Sequence, residues 1–288
     1  MLEAQRLTSS CMHHGEGPFW DSRSNRLMCL DVLASTIVTI DPVGEIRRYK
    51  VPSRAATVIR RRKQGGFLIA TERGVAMADE SLTKFDELVE LVCEPDVRTN
   101  DGGCDPLGGF VVGTMSYDET PARGAVYRVT SNQQNSRILV APVSISNGVQ
   151  WSADGTKVYY IDTPTRRVDV FDFESQTGEW SGRRAHIQMR NTRGFPDGMA
   201  IDEDDGLWIA LWGAGVVNHY DKYGCLVETI AVPGVTQVSS CAFGGRDRSV
   251  LYITTSRKDL RPDCEPDAGA VFFVQTSVRG AALAEFAG

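Results

Sequence analysis

Residues 146–173 read Ser146-Asn147-Gly148-Val149-Gln150-Trp151-Ser152, Ala153-Asp154-Gly155, Lys157-Val158-Tyr159-Tyr160-Ile161-Asp162, a turn from Thr163 to Arg166, and then Arg167-Val168-Asp169-Val170-Phe171-Asp172-Phe173. The three longer runs are rich in β-branched and aromatic residues and have the length and period of strands, while Asp-Gly and Thr-Pro between them are turn formers. A turn rich in Asp, Gly or Asn followed by an apolar strand recurs at Asp21 to Leu30, Lys63 to Ala70, Asp105 to Gly113, Ala153 to Ile161, Asp202 to Ala210 and Gly244 to Ile253. The interval is roughly 42 to 50 residues, the scale of one four-stranded propeller blade, and its evenness disfavours a pair of sandwiched sheets. The expectation is therefore an all-β chain: a six-bladed β-propeller of four-stranded antiparallel blades around a central channel, one domain spanning residues 1–288. Such a ring has an open edge unless the first and last blades are joined. Glu3 to Leu7 is predicted to close it beside Ala270-Val271-Phe272-Phe273-Val274. Only Ser81 to Cys93 has a helical look, and its Val and Thr content argues against a helix.

Composition narrows the function. Hydrophobic residues make up 42% of the 288 and charged residues 24%, enough for a sizeable core. A net charge of -6 argues against a nucleic-acid partner, which calls for a basic surface. Arg60-Arg61-Arg62 is the one dense basic run and, beside Lys63-Gln64-Gly65-Gly66, reads as a solvated hairpin tip. The first seven residues lack the apolar run of a signal peptide, and no stretch reaches the roughly 20 apolar residues of a membrane span, so a cytoplasmic protein with no membrane partner is expected. The seven cysteines (Cys11, Cys29, Cys93, Cys104, Cys225, Cys241, Cys264) include no Cys-x-x-Cys pair and read as reduced, mostly buried thiols. The four histidines show no zinc-helix spacing.

What repeats besides the strands is a polar corner. Glu16-Gly17, Asn100-Asp101-Gly102, Asn147-Gly148 and Asp197-Gly198 each stand at the start of a unit, the last inside the stiff turn Phe195-Pro196-Asp197-Gly198. The innermost strands of a propeller line its channel, so residues at one register converge at one end of the axis. Glu16, Asn147 and Asp197 then form a ring of hard oxygen donors suited to Ca²⁺, Mg²⁺ or Mn²⁺, with Zn²⁺ also compatible with carboxylates. Arg98 stands two residues from Asn100 and faces the same side, where its planar fork can bind a carboxylate or vicinal hydroxyls. Asp118 and Glu119 fall on a loop over the channel mouth. The sequence contains no Gly-x-Ser-x-Gly elbow, no Walker phosphate loop and no dinucleotide-binding glycine pattern, so hydrolysis by a metal-activated water is the chemistry that remains.

The stretches Gly15-Glu16-Gly17-Pro18-Phe19-Trp20-Asp21, Arg98-Thr99-Asn100-Asp101-Gly102-Gly103-Cys104-Asp105 with Gly113-Thr114-Met115, Ser146-Asn147-Gly148 with Tyr160-Ile161-Asp162-Thr163, and Pro196-Asp197-Gly198-Met199 resemble the SMP-30/gluconolactonase family, which includes regucalcin. The likeness runs from about residue 14 to residue 275. It implies a six-bladed propeller with one divalent cation in the channel, Ca²⁺ being the first candidate, bound by Glu16, Asn147 and Asp197. It also implies that Arg98 and Asn100 contact a sugar, that Asp197 doubles as general base, and that Asp118 or Glu119 supplies the loop contact. Two departures stand out: Gly103 replaces a frequent lysine, and His14 replaces a usually apolar residue. The implied function is a divalent-metal-dependent lactonase that hydrolyses a sugar-acid lactone. The alternative is a non-enzymatic calcium- or small-ligand-binding propeller of the regucalcin type.

Overall fold

The computed structural model describes residues 2–131 and 136–288. Six sheets are arranged as blades, and within each the strands are antiparallel and neighbour one another in chain order, apart from the N-terminal strands added to the fifth and sixth. The first blade consists of Gly15–Asp21, Arg26–Asp31, Thr36–Ile40 and Ile46–Lys50. The innermost strands of the next five are Ala56–Arg61, Val97–Cys104, Ser146–Trp151, Phe195–Ile201 and Val238–Gly244. All six turn-and-strand units of the sequence are the turn and second strand of a blade. The helical-looking stretch contains instead the outer strand Phe85–Glu90 of the second blade. No helix of the described residues is long and apolar enough to cross a membrane.

Blades hold together because each strand buries apolar residues on both faces, one against each neighbouring sheet. The core is accordingly six apolar clusters, one at each seam. Phe19, Leu30 and Ile59 join the first and second blades; Trp20, Cys29 and Tyr252 join the first and sixth. Ring closure uses the N-terminus, as expected: Gln5 pairs with Phe273 and Arg6 with Phe272. The two residues before it do something further, since Leu2–Glu3 adds a parallel fifth strand to the fifth blade, with Leu2 opposite Ile230. One segment thus fastens two blades. At the other end of the chain, Ala281 donates its amide to the Ile201 carbonyl and Phe286 donates to Arg61, so the C-terminal segment crosses the face of the ring from the fifth blade to the second. Phe286 is buried among Val58, Cys104 and Phe110.

The basic run is not a solvated tip. Ala56–Arg61 is a buried strand, and the turn lies one step later at Lys63 to Gly66. Alternation along this strand sends the two arginines to opposite sides. Arg61 makes a bidentate pair with buried Asp21 (2.8 and 2.6 Å) across the seam. Arg60 turns to the channel and donates to the Gly102 carbonyl at 2.8 Å. All seven cysteines are free; Cys29, Cys104 and Cys241 are buried, whereas Cys93, Cys225 and Cys264 are exposed.

Candidate functional site

The polar corners lie within the innermost strands rather than ahead of them, at a β-bulge that recurs in every blade. Strand pairing slips between Glu16 and Phe19, Ala56 and Val58, Thr99 and Gly102, Asn147 and Val149, Pro196 and Met199, and Val238 and Ser240. A bulge inserts an unpaired residue and re-aims its neighbour's side chain. Here it directs one polar side chain per blade toward the axis. The glycine after the corner is needed for close approach: a Cβ on Gly148 would stand 2.6 Å from the Met199 side chain, and one on Gly198 would stand 2.0 Å from Ser240 Oγ. Two of the six corners are hydroxyls with internal partners, Thr57 bonded to Thr99 at 2.8 Å and Ser239 donating to the Gly15 carbonyl at 2.5 Å. The other four carry carboxylates or amides.

Glu16, Arg98, Asn100, Asn147 and Asp197 line one cavity of about 340 Å³ at the channel mouth. Its rim is apolar, with Met115, Ile145, Phe195 and Trp212 in the wall. A chain of hydrogen bonds runs around it. Arg98 donates to Asn100 Oδ1 (2.7 Å), Asn100 Nδ2 donates to Asn147 Oδ1 (3.0 Å), and Asn147 Nδ2 donates to Thr163 Oγ1 (2.7 Å). Thr163 Oγ1 in turn donates to the Pro196 carbonyl at 2.8 Å, beside Asp197. This sequence of donors fixes the Asn147 amide with its oxygen toward Asn100, leaving that oxygen a second lone pair. Asp31 holds the approach to Glu16 by accepting from the His13 and His14 amides at 2.9 and 3.0 Å.

The carboxyl groups crowd one another. Burial, followed by the charge of Asp101, pushes Glu16 up to about 8. Asp197 is raised well above the ordinary range by burial and then by the charges of Glu16 and Asp101. Asp101 is itself raised by burial, with Arg60 opposing. His14 lines the cavity and is driven down to about 3 by burial and then Arg98, so it is neutral. Among the described residues no hydrogen-bond donor reaches the Asp197 carboxylate, and Glu16 has only the amide of Gly17 at 3.2 Å. Half-buried Glu16, buried Asp197 and an oriented amide oxygen fit a hard cation by donor chemistry. No three His, Cys, Asp or Glu side chains among the described residues gather closely enough to hold one by themselves, so a cation here would need the Asn147 amide besides the two carboxylates.

The expected loop contact divides. Glu119 lines the cavity and pairs with Lys258 Nζ at 2.9 Å. Asp118 points away, fully exposed, and closes its own turn by accepting from the Thr120 amide and hydroxyl at 3.1 and 2.8 Å. Of the two departures, His14 faces the cavity, but Gly103 lies deeper, where an added Cβ would sit 3.9 Å from the Arg60 guanidinium. An arginine from the neighbouring blade occupies the space beside that glycine. Lys258, Phe195 and Trp212 were not anticipated from sequence. Lys258 sits in a charged loop between two strands of the sixth blade, which carries no local signal of facing the channel.

Comparison with known proteins gives the family and the fold. The SMP-30/gluconolactonase/LRE-like region is matched by residues 14–257. "Putative sugar lactone lactonase YvrE" of Bacillus subtilis (strain 168) is 32% identical over 282 residues, covering 95% of either chain. Regucalcin of Oryctolagus cuniculus is 33% identical over 280 residues, 92% of this chain and 91% of its own. A solved structure described as a calcium-binding protein, regucalcin, from Agrobacterium tumefaciens str. C58 superposes with a TM-score of 0.93 at 27% identity, covering 99% of this chain and 97% of that one.

Proposed function

Because the chain belongs to the SMP-30/gluconolactonase/LRE-like family, we propose that it is a divalent-cation-dependent lactonase that opens a sugar-acid lactone to the free hydroxy acid. The observation that carries the reading is the convergence of Glu16, Asn147 and Asp197 in a cavity that also presents Arg98 and Asn100. A cation held by the trio, Ca²⁺ first and Zn²⁺, Mg²⁺ or Mn²⁺ as alternatives, supplies Lewis-acid polarisation of the lactone carbonyl. The remaining roles belong to side chains. Asp197 has two oxygens, so one can serve as ligand while the other accepts a proton from the attacking water. That proton is returned to the ring oxygen as the acyl–oxygen bond breaks, giving a free hydroxyl and a carboxylic acid that ionises and releases the water's second proton to solvent. Asn100 gives both amide hydrogens to Ser146 and Asn147 and accepts from Arg98, so it offers a sugar hydroxyl the second lone pair of its Oδ1, and the apolar rim covers the carbon skeleton. Glu119, not Asp118, is the loop residue placed to reach a ligand.

The test is proton release from glucono-1,5-lactone and a set of pentono- and hexono-1,4-lactones, before and after chelation, with each cation restored in turn. Activity that disappears with chelator and returns with one cation supports the lactonase. The second reading is a binding propeller, which starts from the description of the Agrobacterium relative as a calcium-binding protein. Cation binding without acceleration of any lactone would select it.

A further inference from the structure

The sixth blade contributes Lys258 to the cavity wall, and its charge has no part in the reaction described above. Lys258 Nζ reaches the cavity with its side chain only 23% exposed. Its position is fixed from behind. The Lys258 amide donates to Ser256 Oγ at 3.0 Å, and that hydroxyl is hydrogen-bonded to His14 Nδ1 at 2.9 Å. The ammonium has two carboxylate neighbours, Glu119 Oε1 at 2.9 Å and Asp259 Oδ2 at 3.4 Å. Asp259 is largely exposed, at 78%. Glu119 comes from the third blade, on the far side of the ring, and stands at an exposed loop tip in a left-handed backbone conformation with φ 60°. Glu119 is 49% exposed, and an ion pair with a half-exposed partner is weak, because water screens it and two flexible side chains must be ordered. Its position shows that a carboxylate in the cavity can reach the ammonium.

Arg98 and Lys258 are the two cations of the lining, set against Glu16, Glu119 and Asp197, with Asp101 and Asp259 adding negative charge just behind it. An anionic group of a substrate is therefore drawn to these two cations and not to the rest of the wall. Arg98 Nε is moreover buried without a partner. We propose that Lys258 is a specificity-determining residue, selecting a lactone whose chain ends in a second carboxylate, the monolactone of an aldaric acid. That carboxylate displaces Glu119 from the ammonium while the ring carbonyl lies over the Glu16, Asn147 and Asp197 donors. The assignment rests on the lactonase reading and narrows its substrate class.

The experiment compares matched pairs that differ only at the terminal carbon: glucono-1,4-lactone with glucaro-1,4-lactone, and the same pair in the galacto series. For the cation-loaded wild type, kcat/KM favours the aldaric lactone by about tenfold or more, the usual worth of a charge-assisted hydrogen bond. Lys258→Gln brings the ratio close to one, with the change carried in KM, and Glu119→Gln raises the ratio by freeing the ammonium. A wild-type ratio of one or below, or a ratio unmoved by Lys258→Gln, overturns the proposal and leaves the lactonase reading intact. If no lactone is hydrolysed, the lactonase reading fails and calorimetry decides the subsite. Tighter binding of D-glucarate than D-gluconate, lost in Lys258→Gln, supports it; equal binding overturns it.

Discussion

The replacement Glu16→Gln should stabilise the cation-free protein and destabilise the cation-loaded one. Glu16 titrates at about 8 in the folded chain against an ordinary 4.5, burial being the main cause and the Asp101 charge the next. The folded state therefore keeps a proton that the unfolded chain has already lost, and stability falls as pH rises from about 4.5 to about 8. At ~1.4 kcal/mol per pH unit, that gap corresponds to a cost on the order of 5 kcal/mol above pH 8. Asp197 competes for the same proton, so the realised cost is smaller. Glutamine has the same shape and no charge to desolvate. With about 2 °C of melting temperature per kcal/mol for a chain of this size, chelated Glu16→Gln at pH 8 is expected to melt between a few degrees and about 10 °C above chelated wild type, the two coinciding near pH 5. Added Ca²⁺ reverses the order, because ligands must be ionised to bind it and its stabilisation grows with pH. The assay is thermal unfolding at pH 5 and pH 8, with chelator and with excess Ca²⁺. A chelated variant that melts at or below wild type at pH 8, or equal stabilisation of both proteins by Ca²⁺, would refute the reasoning.

Other outcomes follow from the same structure. Asp197→Asn is expected to keep the fold and lose about 10³-fold in turnover by proton release, the typical worth of a positioned base; undiminished activity would remove Asp197 from that role. Arg61→Met leaves Asp21 buried without its bidentate partner and should cost about 3 to 5 kcal/mol by denaturant unfolding, with partial recovery in the double variant carrying Asp21→Asn. Deleting residues 1–7 removes the strand that pairs with Phe272 and Phe273. Hydrogen exchange should then accelerate in Val271–Gln275 while the third blade keeps its protection.

The fold was legible because a propeller writes its period in turn formers. The Asp, Gly and Asn clusters between strands need no tertiary partner to be recognised, and all six fell where a blade turns. That these corners meet in one cavity was legible for a related reason: a carboxylate or amide before glycine recurs at one register of the repeat, and one register faces one end of the channel. Its placement was less so. A bulge is a property of two strands, and nothing in Asn147-Gly148 alone states that the pairing with Ile161 and Tyr160 slips there. Arg60 and Arg61 misled by a shift of two residues, since the strand continues through them before the chain turns. The Lys258–Glu119 pair and the C-terminal segment were invisible for a stronger reason, because the contacts that place them, such as Lys258 with Glu119 and Phe286 with Arg61, join residues far apart in sequence that meet only when the ring closes.

The division between what was and was not legible coincides with a division of labour in the site. The corners of the first, third, fourth and fifth blades carry the oxygen donors, and they ride on innermost strands locked by neighbours on both faces. The corners of the second and sixth blades are hydroxyls bonded to adjacent backbone or side chain, and so offer nothing to a ligand. The sixth blade reaches the cavity instead through a loop, as does the third with Glu119. Strand-borne groups can hold a cation at fixed geometry, whereas loop-borne charges can change without disturbing the ring. If that division is right, exchanging the Lys258 and Glu119 loops should alter which lactone is taken while leaving cation affinity nearly unchanged, because neither loop supplies a donor to the Glu16, Asn147 and Asp197 set.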